Sequence, residues 1–188
     1  EMADNLQGLL ARRSNRQYAK DIQKIRARIL SEKAIAIRET CSTNEVLGRV
    51  RPISDTLFEI GAQYDDLSII GMSHACLVDA YYIYKSRRQA VNQAYEGIAA
   101  LKDSKNPEDI DNRLLMTRTL LVCLSLLNER DAFEKESARA MGYIKRGEYT
   151  HAEVVCTLLE GMATSQGNLR LHEALDTLDR AWQFYGQA

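Results

Sequence analysis

The sequence predicts an all-α fold built from antiparallel helix pairs stacked in series. Three observations point that way. Apolar residues recur at steps of three and four along most of the chain, as one face of a helix requires. Period-two alternation suited to strands is almost absent, and only two prolines punctuate 188 residues. With 45% apolar and 27% charged residues, the chain is neither disordered, collagenous nor a disulfide miniprotein. We read residues 1–188 as a single helical-repeat domain, with basic N-terminal helices over 1–52 and helix pairs over 54–185, and expect it to be a fragment of a larger protein.

The elements follow in order. Leu6, Leu9 and Leu10 mark a short first helix, and Tyr18, Ile22, Ile25 and Ile29 put one apolar stripe on a second over about 15 to 40. Ser42 or Thr43 can cap the next. Pro52 lacks an amide proton, which predicts a kink or break near Val50 and a restart at Ser54 or Asp55. Asp65 and Asp66 open a helix to about Lys85, carrying Leu67, Ile70, His74, Leu77 and Tyr81 on one face, and its partner runs through Val91, Ala94, Ile98 and Leu101. The loop from Asp103 to Asp109 leads to a helix over about 110 to 128, apolar nearly all round from Leu120 to Leu127 and so expected in the middle of the assembly. Its partner spans about Arg130 to Tyr143 and closes at Lys145 to Glu148. A last pair starts at Thr150, turns at Ser165 to Asn168, and carries Leu171, Leu175, Leu178 and Trp182 on one stripe. Eight or nine helices joined by short loops make antiparallel neighbours.

The pairs repeat. Leu77 and Leu120 lie 43 residues apart, as do Ala90 and Phe133, and Phe133 and Ala174 lie 41 apart. Small residues at Ala90, Ala94 and Gly97, and again at Ala174 and Ala181 around Leu178, suit close helix approach. On Leu77, Tyr81 and these small, large and small positions, residues 54–185 resemble the tetratricopeptide-like superfamily, in a long-period form found in bacterial regulators and signalling proteins. HEAT-like or simple bundle packing is the alternative. The resemblance implies a right-handed superhelix whose first helices line a curved face. On that face it would present Met72, Ala75, Asp79, Tyr82, Arg118, Thr119, Val122, Ser125, Thr157 and Thr164, a mixture suited to a peptide or partner helix. The implied role is a sensory or regulatory module in a signalling or transcription-regulatory protein.

Net charge is −1, but residues 1–52 hold eleven Lys/Arg against six acids while the remainder nets −6. Such asymmetry marks a basic arm for phosphate, or two halves that attract each other. Nucleic-acid binding through the basic helix of residues 12 to 38 is therefore the rival reading, and the weaker one. Apolar stripes at both ends, Leu6, Leu9 and Leu10 and then Leu175, Leu178, Trp182 and Tyr185, suggest capping contacts or a homodimer.

Catalytic signatures are missing. The sequence holds no Walker loop, no dinucleotide fingerprint and no zinc-protease helix. Gly71-Met-Ser-His-Ala75 approaches a nucleophile elbow but carries Ala75 where glycine is needed, within a helix. His74 and Cys76 are two apart and diverge on a helix, and His151 and His172 read as surface residues. Of Tyr81, Tyr82 and Tyr84, only Tyr81 matches the packing stripe. Cys41, Cys76, Cys123 and Cys156 form no C-x-x-C pair and read as reduced core thiols. No enzyme activity, cofactor, metal or membrane partner is expected, and a cytoplasmic setting fits the cysteines.

Overall fold

The computed structural model describes residues 2–167 and 171–185, with backbone alone for 2–16, 171 and 185. These residues form eight helices: α1 (Met2–Thr40), α2 (Thr43–Tyr64), α3 (Leu67–Ile83), α4 (Arg87–Ala100), α5 (Pro107–Leu126), α6 (Arg130–Lys145), α7 (Ala152–Gly167) and α8 (Leu171–Tyr185). No strand occurs among the described residues, so the chain is all-α. Among them, no helix is long and apolar enough to cross a membrane.

Consecutive helices pack on each other from α1 through α6, and α7 packs on α8; the odd-numbered ones also touch in series: α1 on α3, α3 on α5, α5 on α7. Helix α5 therefore has α3, α4, α6 and α7 around it. Its Leu114, Leu120, Leu121, Cys123 and Leu124 are fully buried, as expected for a helix without an apolar-free face. One core runs from α3 to α8 and a second joins α1, α2 and α3; α3 belongs to both through Val78 on one side and Ile69, Met72 and Ala80 on the other. Ala90, Ala94, Ala174 and Ala181 are buried at the helix contacts, as is Phe133, whereas Leu178, the large residue between Ala174 and Ala181, is exposed.

Four of the corners share one backbone device. After α2, α3, α5 and α6 a single residue takes the left-handed conformation: Asp65, Lys85, Asn128 and Gly147. Each time its amide bonds back three residues and the next amide bonds back five. Asp66 N to Gly61 O, Ser86 N to Tyr81 O, Glu129 N to Leu124 O and Glu148 N to Tyr143 O span 2.8 to 3.0 Å. These bonds satisfy carbonyls that the helix end would leave bare. At the other ends, the Asp66 side chain accepts from Ile69 N, and Asn106 accepts from Glu108 N ahead of Pro107 in the first turn.

Several expectations need correction. The short first helix and the helix over 15 to 40 are one, α1, because Ala11, Arg12, Arg13 and Ser14 between them include neither glycine nor proline to end it. Pro52 does not break α2; it is exposed, as is Gly48, so water can take the carbonyl bond the ring removes. Ser54, instead of restarting a helix, is buried and donates to Ser73 O at 3.0 Å, docking α2 on α3. Helix α5 starts at Pro107 and α7 at Ala152, and α7 continues to Gly167; Asn168 lies outside the described residues. The largest departure is the stripe on α1. Tyr18, Ile22, Ile25 and Ile29 face outward at 69, 45, 61 and 63% exposure, while Ala27 and Ala34 form the inner face. The same inversion occurs on α8, where Ala174, Thr177 and Ala181 are buried and Leu175, Leu178 and Trp182 are exposed. Small residues let helix axes approach, so at both ends they win the interface over larger neighbours.

The left-handed corners generate a paired prediction. Lys85 carries a Cβ at φ 65, whereas Gly147 does not at φ 68 and has nothing within 4 Å of where one would sit. Lys85→Gly should stabilise the fold by about 0.5–1 kcal/mol and Gly147→Ala should cost about 1 kcal/mol, both read from urea midpoints.

Candidate functional site

The odd helices bring side chains together at a fixed interval. Ser68 on α3 donates to Asp109 on α5 at 2.6 Å, 41 residues on. Arg38 on α1 bonds Asp79 on α3, also 41 on, and Thr119 on α5 reaches the same carboxylate at 3.4 Å from 40 further. Ser125 on α5 donates to Ser165 O on α7, again 40 on, at 3.0 Å. Asp111 meets Thr150 and His151 from 39 and 40 residues away. Arg88 and Glu129, 41 apart, do the same between α4 and the α6 cap. Arg28 reaches from α1 past α3 to Glu108 on α5, 80 residues away, at 2.7 Å. Apart from the Arg28–Glu108 pair, each of these bonds joins residues 39 to 41 positions apart.

The central rung opens into a cleft of about 320 Å³. It is lined by Asp79, Tyr82 and Ile83 from α3, by Leu115, Arg118 and Thr119 from α5, and by Arg38 from the last turns of α1. Within each of α3 and α5 the three residues stand at i, i+3 and i+4, which puts them on one face of one turn. The cleft walls are part apolar, with Tyr82 and Leu115 exposed. Its floor holds two guanidinium groups and one carboxylate. Asp79 is half-buried, its side chain keeping 37% of its surface exposed. Burial raises its pKa above the ordinary carboxylate value; the Arg38 and Arg118 charges, and the bonds from Arg38 and Thr119, pull the other way. Arg118 lays its stem over Gly161 of α7, where a Cβ would come within 2.7 Å of Cγ, and its Nε is buried without a protein partner.

Of the residues expected on the curved face, Asp79, Tyr82, Arg118 and Thr119 line this cleft. Met72 lies instead in the core with α1 and α2, 8% exposed. The Ser125 hydroxyl is spent on Ser165 O, and Thr157 and Thr164 turn their hydroxyls onto Glu153 O and Glu160 O of their own helix. Ala75 packs against the core, and Val122 is half-buried. The side chains of Leu6, Leu9, Leu10 and Tyr185 lie outside the described residues. Sequence reasoning missed Arg38, Ile83 and Leu115. Arg38 was within reach, since stepping back one 41-residue interval from Asp79 lands on it.

Elsewhere the chemistry is structural. Arg113 is buried on α5, with its guanidinium 4.6 Å from the Tyr143 ring and bonds to Lys102 O and Glu148, so it ties the loops after α4 and α6 to the central helix. Thr150, His151 and Asp111 resemble a nucleophile, base and orienter. A relay needs the carboxylate on Nδ1 and the hydroxyl on Nε2. Here Thr150 Oγ1 and Asp111 Oδ2 both stand 2.9 Å from Nδ1, so the hydroxyl is not aligned for proton transfer. Burial pushes the Cys76 and Cys123 thiols up to about 11 and raises Cys156, away from the thiolate form a nucleophile uses. Cys123 and Cys156 are buried, whereas Cys41 and Cys76 are only half-buried. His74 bonds Gln93 at 3.0 Å and stands edge-on to Phe58. Tyr81 accepts from Arg51 and packs against the core, while Tyr84 is exposed. Among the described residues, no group of three His, Cys, Asp or Glu converges as a metal site would need.

Fold and cleft together define an all-α protein whose described residues form eight helices, packed mostly on their neighbours in sequence. No protein-family model, curated protein or solved structure matches the chain.

The raised Asp79 carboxyl gives a signed pH dependence. The folded chain holds this proton to higher pH than the unfolded chain does, so wild type loses stability as pH rises through the folded value. Asp79→Asn removes that loss. In urea unfolding, the balance should move in the variant's favour from about pH 3 to about pH 7. Movement in the opposite direction would mean that Arg38 and Arg118 outweigh burial.

Proposed function

We propose that this chain is a non-enzymatic, tetratricopeptide-like scaffold that binds a segment of a partner protein in the cleft between α1, α3 and α5. The observation that carries the reading is the convergence of Arg38, Asp79, Tyr82, Leu115, Arg118 and Thr119, from three successive odd helices, on one open cleft. Support for the repeat family comes from the rungs 39 to 41 residues apart and from small residues buried at corresponding helix contacts. Two guanidinium groups against one carboxylate favour a segment carrying an acidic side chain, and Tyr82 with Leu115 favours an apolar residue beside it. Arg118 lines the cleft, and its guanidinium is a donor group suited to such an acid. A regulatory module of a bacterial cytoplasmic signalling or transcription protein is the setting this reading implies, with ordering of the array on binding as the signal.

The nucleic-acid reading loses ground on the arrangement of charges. Lys20 and Lys24 pair with Asp66, Arg28 with Glu108 and Arg38 with Asp79, so much of the basic helix is neutralised by the acidic part of the same chain. Steep loss of DNA or RNA affinity with salt would restore it.

Selection of peptides from a random library on the immobilised chain tests the proposal. Selected sequences should pair an acid with an apolar residue, and Tyr82→Ala with Arg118→Gln should weaken them by about tenfold or more in calorimetry. Failure to select any, or equal binding by the double variant with its helical signal intact, contradicts the cleft assignment.

A further inference from the structure

The exposed stripe on α1 has the spacing of a coiled-coil seam. Tyr18, Ile22, Ile25 and Ile29 stand at steps of four, three and four, opposite the inner face formed by Ala27 and Ala34. Four large apolar side chains in one row on a soluble helix face are more than scattered surface residues. We infer that a second copy of this chain covers the row, the two α1 helices packing antiparallel along it.

Charge argues for a copy of the same chain. On the inner side Lys20 and Lys24 are held by Asp66 at 3.5 and 3.8 Å, and Arg38 by Asp79. Arg28 is paired with Glu108 at 2.7 Å. What flanks the row outward is Arg26 and Lys33 against Asp21 and Glu32, all exposed. These four sum to zero, so two such faces meet without net repulsion despite the basic composition of α1.

Direction follows from the same charges. In a parallel pair each residue of the seam meets its own equivalent, so Glu32 would face Glu32 and Arg28 would flank Lys33. Antiparallel, Tyr18 packs on Ile29 and Ile22 on Ile25, twice each, which covers the whole row. Glu32 then falls opposite the polar Asn15, and Asp21 flanks Arg28 at both ends of the seam. The Arg28 guanidinium has donors for a second carboxylate beside Glu108. The contact is self-complementary and closes at two copies. The bodies of the two protomers lie on opposite sides, because the inner face of α1 points away from the row.

Sedimentation equilibrium of the whole chain over a concentration series tests this. Wild type should approach twice the monomer mass. Ile25→Glu and Tyr18→Ser should each raise the dissociation constant by about tenfold or more, with far-ultraviolet circular dichroism unchanged. Asp21→Arg and Arg28→Asp should each weaken association, and the two together should recover it. A wild type that stays monomeric at every concentration overturns the proposal, also if it instead sediments with anionic vesicles. Dimers indifferent to Ile25→Glu overturn it too and point to Leu175, Leu178 and Trp182. Recovery of Asp21→Arg by Arg26→Asp instead of Arg28→Asp overturns the antiparallel arrangement, since those positions meet only in a parallel pair.

Discussion

No helix pair in this chain can bury its own apolar surface, and the arrangement follows from that shortage. Helix α5 makes the point most sharply. Its buried leucines, each contributing about 1.5–3 kcal/mol when removed from water, lie on several sides of the helix, so one partner cannot cover them. Helices α3, α4, α6 and α7 do so together, and α3 in turn divides its own apolar residues between two cores. Burial supplies the drive, but it says little about register. The polar rungs between odd helices do, because a buried hydroxyl or carboxylate left without its partner is costly. Ser125 on Ser165 O and Ser68 on Asp109 each tolerate only one offset between the helices they join.

The cleft is a by-product of the same stacking. Once α1, α3 and α5 lie side by side, residues at i, i+3 and i+4 of one turn in each helix share a face, and Asp79 becomes the common acceptor of neighbours one interval away on either side. The carboxylate holds three helices together while remaining open to the cleft. Its raised pKa records that double duty: enough burial to disfavour the charge, enough cationic company to tolerate it.

The all-α class and the central position of α5 were legible because they depend on periodicity and on the absence of a polar face, which are local properties, whereas the breaks expected in α1 and α2 do not occur. Leu77 with Leu120, and Ala90 with Phe133, gave an interval of 43, two or three residues longer than the 40 to 41 of the rungs between α3 and α5. Which face of the terminal helices turns inward was not legible. Periodicity locates an apolar stripe but not its cover, and on α1 and α8 close approach through alanine decided the matter against isoleucine and leucine. Pro52 misled for a related reason: its cost depends on whether water can reach the freed carbonyl. Four of the seven cleft residues, Asp79, Tyr82, Arg118 and Thr119, were among those placed on the curved face; Arg38, Ile83 and Leu115 needed the register between helices, which periodicity within one helix does not reveal.

Amide hydrogen exchange resolved by segment tests the central claim, that serial stacking buries α5 among four neighbouring helices. If α3, α4, α6 and α7 enclose it, the amides of residues 114–124 exchange slowest in the chain, with those of α1 and α8 markedly faster. Protection in α5 no greater than in the terminal helices would contradict the stacked arrangement.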